Sequence, residues 1–174
     1  DAGKRLADYL FRIGAVKFGT FKLKLHEKTP DAPLSPFYFS LRTPENPKPG
    51  PLDAVALGMI VAGFEWLFTE RRIGFDAISG IPNAGVSLAE AFSQLHTGVP
   101  TILLHKTGDD TTGRKISGVE ALVRFPLYHV LLIDDVITAA DTKIEAVAIL
   151  RGVPVVVNHL LVVVDREQGG VDAL

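Results

Sequence analysis

Two adjacent carboxylates, Asp134 and Asp135, follow the apolar run Val130-Leu-Leu-Ile133 and precede a short stretch of small and hydroxyl-bearing residues, Val136-Ile-Thr-Ala-Ala-Asp-Thr142. An unbroken apolar run is the pattern of a strand covered on both faces, and the spacing predicts a helix from Thr142 to Leu150. The start of a helix presents free backbone N–H groups and the positive end of its dipole, which together attract an anion. Thr138 and Thr142 add hydroxyl donors, and Ala139 and Ala140 let a ligand approach the backbone. Carboxylates repel a phosphate unless they accept hydrogen bonds from sugar hydroxyls or help to hold a cation. The combination is that of a clasp for a phosphorylated ribose, with phosphate on the loop and ribose hydroxyls on the acids. The plainer alternative makes the two acids a strand end and Asp141 or Thr142 a helix N-cap. Two acids, hydroxyls and a helix start in one segment argue against it.

The elements that must position this clasp are legible around it. Leu6, Leu10 and Ile13 recur at helical spacing, with Gly14 as a stop. Apolar and basic residues alternate over Phe21 to Leu25, a half-buried strand pattern. The prolines between His26 and Pro36 mark a loop, Phe37 to Leu41 a second strand, and the prolines from Pro44 to Pro51 a connector. Leu52 to Arg72 is predicted helical, Phe75 to Ser79 a strand, Val86 to Leu95 a helix and Pro100 to His105 a strand. Lys106 to Gly118 suits a surface loop. His129 to Asp134 and Val155 to Val164 complete the strands. Strand and helix in alternation predict an α/β fold with a central, mostly parallel sheet flanked by helices, whose ligands bind at the carboxyl ends of the strands. The expected division is a small N-terminal hood of helix and strands over 1–51 and a core over 52–174.

Composition narrows the function classes. The chain has 174 residues, 47% of them apolar, which fits one globular domain. A net charge of −2 lacks the basic excess of a nucleic-acid or membrane-surface protein. With no cysteine there is no disulfide, thiolate metal site or cysteine nucleophile. No apolar stretch is long enough to span a bilayer, no signal peptide is read, and the cytoplasm is the expected setting. The first residue is Asp1 rather than Met, so the sequence is read as part of a longer gene product. His26, His96, His105, His129 and His159 are scattered and suggest no metal site.

The segment 130–142 resembles the PRPP (5-phosphoribosyl 1-pyrophosphate) signature of type I phosphoribosyltransferases: an apolar strand, two acids, two apolar residues and a Thr- and Gly-rich loop. The resemblance implies that Asp134 and Asp135 contact the ribose hydroxyls and that Thr138, Ala139, Ala140, Asp141 and Thr142 wrap the 5′-phosphate. The family usually has a glycine where Ala140 or Asp141 stands, and Asp141 puts a negative charge near the phosphate.

Three further segments resemble orotate phosphoribosyltransferases. Ala15 to Lys24 with Ser35-Pro-Phe-Tyr-Phe39 is similar to their N-terminal strand pair, which implies pyrophosphate contact by Lys24 and leaves Phe37 and Tyr38 to cover a flat pyrimidine. Phe75 to Ala89 resembles their pyrophosphate loop, with Asn83, Ala84 and Gly85 offering backbone N–H groups. Asp165-Arg-Glu-Gln-Gly-Gly170 matches their Asp-Arg-x-x-Gly-Gly ending, where the arginine contacts orotate. A planar guanidinium pairs with two oxygens at once, so Arg166 suits a carboxylate next to a ring carbonyl; the plainer alternative is a surface salt bridge to Asp165 or Glu167. The resemblance implies orotate and PRPP as substrates, Mg2+ as cofactor and a homodimer.

One segment departs from the family. Its flexible loop carries two lysines and a His-Gly. Here Lys106 fits the first basic position, while Asp109 and Thr111 stand near the places of the second lysine and the histidine, and Arg114 and Lys115 come later. Pyrophosphate departure needs cationic stabilisation, and loss of one such group costs on the order of 10²–10³ in rate. Two alternatives to an orotate enzyme therefore stay open: a PRPP or nucleotide sensor with impaired catalysis, and a phosphoribosyltransferase for another base.

Overall fold

The structure is a computed structural model that describes residues 2–23, 26, 29–107, 115–118 and 128–174, the side chains of Lys115 and Tyr128 excepted. The helices are α1 (Ala2–Arg12), α2 (Ala54–Arg71), α3 (Ala84–Ser93) and α4 (Asp141–Leu150). The strands are β1 (Val16–Phe21), β2 (Ser35–Phe39), β3 (Ala77–Gly80), β4 (Thr101–Ile102), β5 (His105–Thr107), β6 (Lys115–Ser117), β7 (Tyr128–Ile137) and β8 (Val155–Asp165).

The α/β expectation holds. The central sheet has the order β4-β3-β7-β8, and every pair in it is parallel. β3 and β7 are its inner strands, and their side chains are sorted between two faces by the two-residue period of a strand. Ile78, Leu131 and Ile133 pack with Ile60, Phe64, Leu88 and Phe92 from α2 and α3. Ala77, Val130 and Leu132 pack with Ala146 and Leu150 from α4 on the other face. Cover on both faces is why these strands carry no polar alternation. The chain leaves β3 toward β4, then returns to place β7 on the opposite side of β3. Such a reversal opens a crevice at the carboxyl ends of the strands, and β7 delivers the paired acids to that edge.

α2 begins at Asp53, whose Oδ1 accepts from the Ala56 N–H over 2.8 Å. Its Oδ2 accepts from the Tyr9 hydroxyl over 2.8 Å, which ties α1 to the helix start. The two hydrogen bonds hold the Asp53 carboxyl below the usual carboxylate range, the Ala56 N–H contributing most. Leu10, Ala15 and Leu41 belong to the same apolar cluster as α2 and α3, so the N-terminal elements share the core of that face.

Several boundaries differ from the sequence expectation, β2 lying at Ser35–Phe39, β3 at Ala77–Gly80 and α3 at Ala84–Ser93 among them. The first strand pairs over Val16–Phe21, ahead of most of the alternating stretch Phe21 to Leu25, of which Lys24 and Leu25 lie outside the described residues; its antiparallel partner β2 sets Phe39 opposite Val16 and Ser35 opposite Phe21. Pairing decides the register, and alternation alone does not. The run from Pro100 to His105 divides: β4 joins the central sheet, while His105 starts β5, which pairs antiparallel with β6, so the expected surface loop from Lys106 to Gly118 has strand at both ends. β7 continues three residues past Asp134, because Val162, Val164 and Asp165 of β8 go on pairing with it. No helix among the described residues is long and apolar enough to cross a membrane.

Candidate functional site

A cleft of about 790 Å³ opens between β2 and the turn from β7 into α4. Phe37, Tyr38, Asp135, Arg166 and the whole loop from Thr138 to Thr142 line it, residues drawn from three separate stretches of sequence.

The loop forms the floor. Ala140 is buried and left-handed at φ 64°, ψ 7°, and no side chain there caps α4. The expected caps, Asp141 or Thr142, are instead the first two residues of the helix. A carboxylate in that turn is favoured by the helix dipole, which gives Asp141 a structural reason to be there. Gly170, from the Asp165–Gly170 stretch, packs against this loop: a Cβ at that position would collide with the Thr138 carbonyl oxygen and the Ile137 side chain.

The two acids have different environments. Asp135 is half-buried on the cleft wall. Asp134 is buried at 4% exposure. One of its oxygens accepts from the Asp135 N–H over 2.8 Å, and the other meets Lys143 Nζ at 2.5 Å. Burial pushes the Asp134 carboxyl up to about 7, with repulsion from Asp135 adding to it and Lys143 pulling it back down. The Lys143 ammonium also donates to the Val136 carbonyl over 2.5 Å. Asp135 Oδ1 accepts from the Val136 N–H over 2.7 Å. Asp134 is therefore engaged behind the wall, while Asp135 faces the cleft.

Arg166 crosses the cleft to β2. Its backbone N–H donates to the Ile137 carbonyl over 3.1 Å, which fixes the residue beside the end of β7. Its Nη2 donates to Ser35 Oγ over 2.8 Å, and the Ser35 hydroxyl in turn donates to the Phe37 carbonyl over 2.6 Å. The guanidinium carbon lies 4.8 Å from the centre of the Phe37 ring, within cation–π range. Among the described residues, the buried Arg166 Nε has no hydrogen-bond partner. Arg166 therefore points away from the salt bridge to Asp165 or Glu167 that the plainer alternative offers; Asp165 Oδ1 accepts from the Glu167 N–H instead.

The remaining candidates lie elsewhere. Asn83 is exposed at the start of α3, and Ala84 and Gly85 are buried. The Gly85 N–H donates to the Ile81 carbonyl over 2.9 Å, so that donor, expected to be free for pyrophosphate, is occupied by the turn. Glycine is required here for packing, since a Cβ on Gly85 would strike the Ile133 carbonyl oxygen. Lys106 stands in β5 opposite Ile116 and does not line the cleft. The hairpin is joined to α4, the Ile116 N–H donating to Glu145 over 3.2 Å. Lys24 lies outside the described residues, as do Asp109, Thr111 and Arg114.

Lys143 is the site residue that sequence reasoning missed. A signal existed: Lys143, Ala146 and Leu150 are the buried face of α4, so a lysine stands in an apolar stripe at helical spacing. A lysine is almost never fully buried unless paired. Among the described residues no three His, Asp or Glu side chains gather to hold a metal ion. Mg2+ is commonly bound by one or two carboxylates together with substrate phosphates, and Asp135 at the cleft wall fits that mode.

No family model matches the chain. The chain is 31% identical to an orotate phosphoribosyltransferase of Cenarchaeum symbiosum over 164 residues, covering 92% of this chain and 74% of that protein. Among solved structures, the UMP synthase of Leishmania donovani superposes with a TM-score of 0.70 at 28% identity over 98% of this chain, which spans 33% of that longer one. The orotate phosphoribosyltransferase of Aeropyrum pernix superposes with a TM-score of 0.73 at 21% identity, covering 97% of this chain and 85% of that one, a likeness of fold.

Proposed function

The chain belongs to the orotate phosphoribosyltransferase family, and from that premise we infer that it transfers the phosphoribosyl group of PRPP to orotate in pyrimidine biosynthesis, giving orotidine 5′-monophosphate and pyrophosphate. The observation that carries the choice of base is Arg166. Its guanidinium is held over Phe37 and against Ser35 on the cleft wall. A planar guanidinium pairs with the two oxygens of a ligand carboxylate, and orotate brings one on a flat ring that the Phe37 and Tyr38 faces can cover.

In the proposed site, the 5′-phosphate rests on the N–H groups and hydroxyls of Thr138 to Thr142, and the ribose hydroxyls donate to Asp135. Asp134 acts from behind that wall, paired with Lys143. The orotate ring nitrogen bonds to the anomeric carbon as the bond from that carbon to the pyrophosphate oxygen breaks, and the proton of that nitrogen is taken up by the departing pyrophosphate or by solvent. No side chain has to serve as a nucleophile; the protein holds the two reactants in line and stabilises charge. Asp135, together with substrate oxygens, would hold Mg2+, which would supply countercharge for the departing pyrophosphate. Lys24, Lys106 and the N–H groups of Asn83 and Ala84 are the proposed pyrophosphate contacts. Residues 1–51 act as a hood over a core of 52–174, and a homodimer in the cytoplasm is part of the same proposal, on the family resemblance alone.

A thermal-shift panel tests this assignment. PRPP with Mg2+ and orotidine 5′-monophosphate are expected to raise the midpoint, and adenine is expected to leave it unmoved. Stabilisation by adenine and not by orotidine 5′-monophosphate would reject orotate as the base.

A further inference from the structure

The loop that is read as the phosphate seat is bordered by Asp134, Asp135 and Asp141. Three carboxylates around one anion site are a poor environment for a phosphate ester, and the loop has Ala140 in a left-handed conformation where glycine is the undemanding residue. Something has to hold this turn closed and offset its charge. The residue placed to do both is Lys143.

Lys143 is the third residue of α4, immediately after the loop, and it is 7% exposed. Its ammonium reaches back across the loop to the strand that precedes it. There it meets two groups at 2.5 Å each, the Asp134 carboxylate and the Val136 carbonyl. Those two groups flank Asp135 in sequence. The Asp134 carboxylate in turn accepts from the Asp135 N–H, and Asp135 accepts from the Val136 N–H. The ammonium is thus the closing member of a ring of hydrogen bonds built around the backbone of Asp135. It ties the end of β7 to the start of α4, the two ends of the loop.

We propose that Lys143 is a positioning residue for the phosphoribosyl half of the site, a buried cross-link that fixes the loop from Thr138 to Thr142 and the direction of Asp135 while neutralising one of the bordering acids. The proposal rests on the cleft being the PRPP site. It separates the two halves of the cleft: Arg166, Ser35 and Phe37 are fixed to one another and to β2 without Lys143, so loss of the ammonium leaves the base side standing.

Direct binding of ribose 5-phosphate and of orotate, each measured by calorimetry on the whole chain, tests it with Lys143→Met and Lys143→Gln. Glutamine keeps a donor for one of the two acceptors, so it serves where methionine in that buried place prevents folding. Either folded variant is expected to bind ribose 5-phosphate roughly ten- to hundredfold more weakly than the unaltered chain, as for loss of a buried charge-assisted hydrogen bond, with orotate affinity within about twofold, since additivity holds for groups that share no partner. Unchanged ribose 5-phosphate affinity in a folded variant overturns the proposal. Equal loss of both ligands also overturns it, because that marks a general structural role. An unaltered chain that binds orotate but no ribose 5-phosphate fails at the earlier step, the assignment of the cleft, and takes this inference with it.

Discussion

Arg166 and Ser35 are 131 residues apart in sequence, and the arginine Nη2 donates to the serine hydroxyl over 2.8 Å. That bond joins the end of the last strand to the N-terminal β-ribbon across the mouth of the cleft. It uses one of five guanidinium donors, and Nε, buried, has no acceptor among the described residues. The arginine is held in place before any ligand arrives, so its ordering entropy does not have to be met on binding.

Arg166→Lys tests whether this planar fork reads a carboxylate. Lysine keeps the charge but loses bidentate geometry. The Michaelis constant for orotate is expected to rise roughly ten- to hundredfold, with the affinity for ribose 5-phosphate unchanged. Steady-state kinetics with orotate varied at saturating PRPP measures it. An unaltered constant would sink the carboxylate assignment.

The two glycines after Arg166 are predicted to differ in what they do. Gly169 is left-handed at φ 80° with open space around it, and Gly170 presses on the Thr138 carbonyl and the Ile137 side chain. Gly169→Ala is expected to cost about 1–2 kcal/mol through backbone strain alone. Gly170→Ala is expected to cost about 1–3 kcal/mol through overpacking, and it alone displaces the loop and weakens ribose 5-phosphate binding. Urea denaturation and a binding titration of both variants decide this; equal binding by the two would contradict it.

Ala140 tests the loop itself. It is left-handed and buried. A β-branched residue at positive φ is a genuine outlier, so Ala140→Val is expected to lose about 2–3 kcal/mol of stability, with strain and overpacking combined. Ala140→Gly relieves the left-handed strain but gives up a buried methyl and adds unfolded-chain entropy, so it is expected to change stability by less than about 1 kcal/mol. A tolerant Ala140→Val would show that this turn is not built as described.

Asp53 supplies the pH dependence. Its folded-state pKa is lowered, first by the Ala56 N–H and then by the Tyr9 hydroxyl. A lowered carboxyl contributes stability that is fully present above its unfolded value near 4 and is lost as pH falls through the folded value. The thermal midpoint of Asp53→Ala is therefore expected to lie below that of the unaltered chain at pH 7. The gap should narrow as the pH drops below the ordinary carboxylate range. A gap that stays constant down to acid pH would place the effect outside the charge of Asp53.

Much of this site could be read before any coordinates, and the reasons are local. The acid pair, the loop hydroxyls and Arg166 stand at strand ends flagged by apolar runs, and a parallel sheet gathers strand ends at one edge. What escaped was set by pairing between distant segments. Alternation marks Phe21 to Leu25, whereas the pairing with Ser35–Phe39 begins at Val16 and includes Phe21. Two adjacent aspartates look equivalent in sequence, yet the two-residue period of β7 turns Asp134 inward to Lys143 and leaves Asp135 at the cleft. The Gly85 N–H looked free, and a turn bond to Ile81 occupies it.

The central claim is turnover of orotate, and the direct measurement is orotate absorbance followed with PRPP and Mg2+, with pyrophosphate assayed in the same samples. Orotate is expected to disappear with one pyrophosphate released per orotate consumed, and Arg166→Ala is expected to abolish the reaction at low orotate. No orotate loss at high protein concentration, in samples where PRPP binding is demonstrated, would contradict the account.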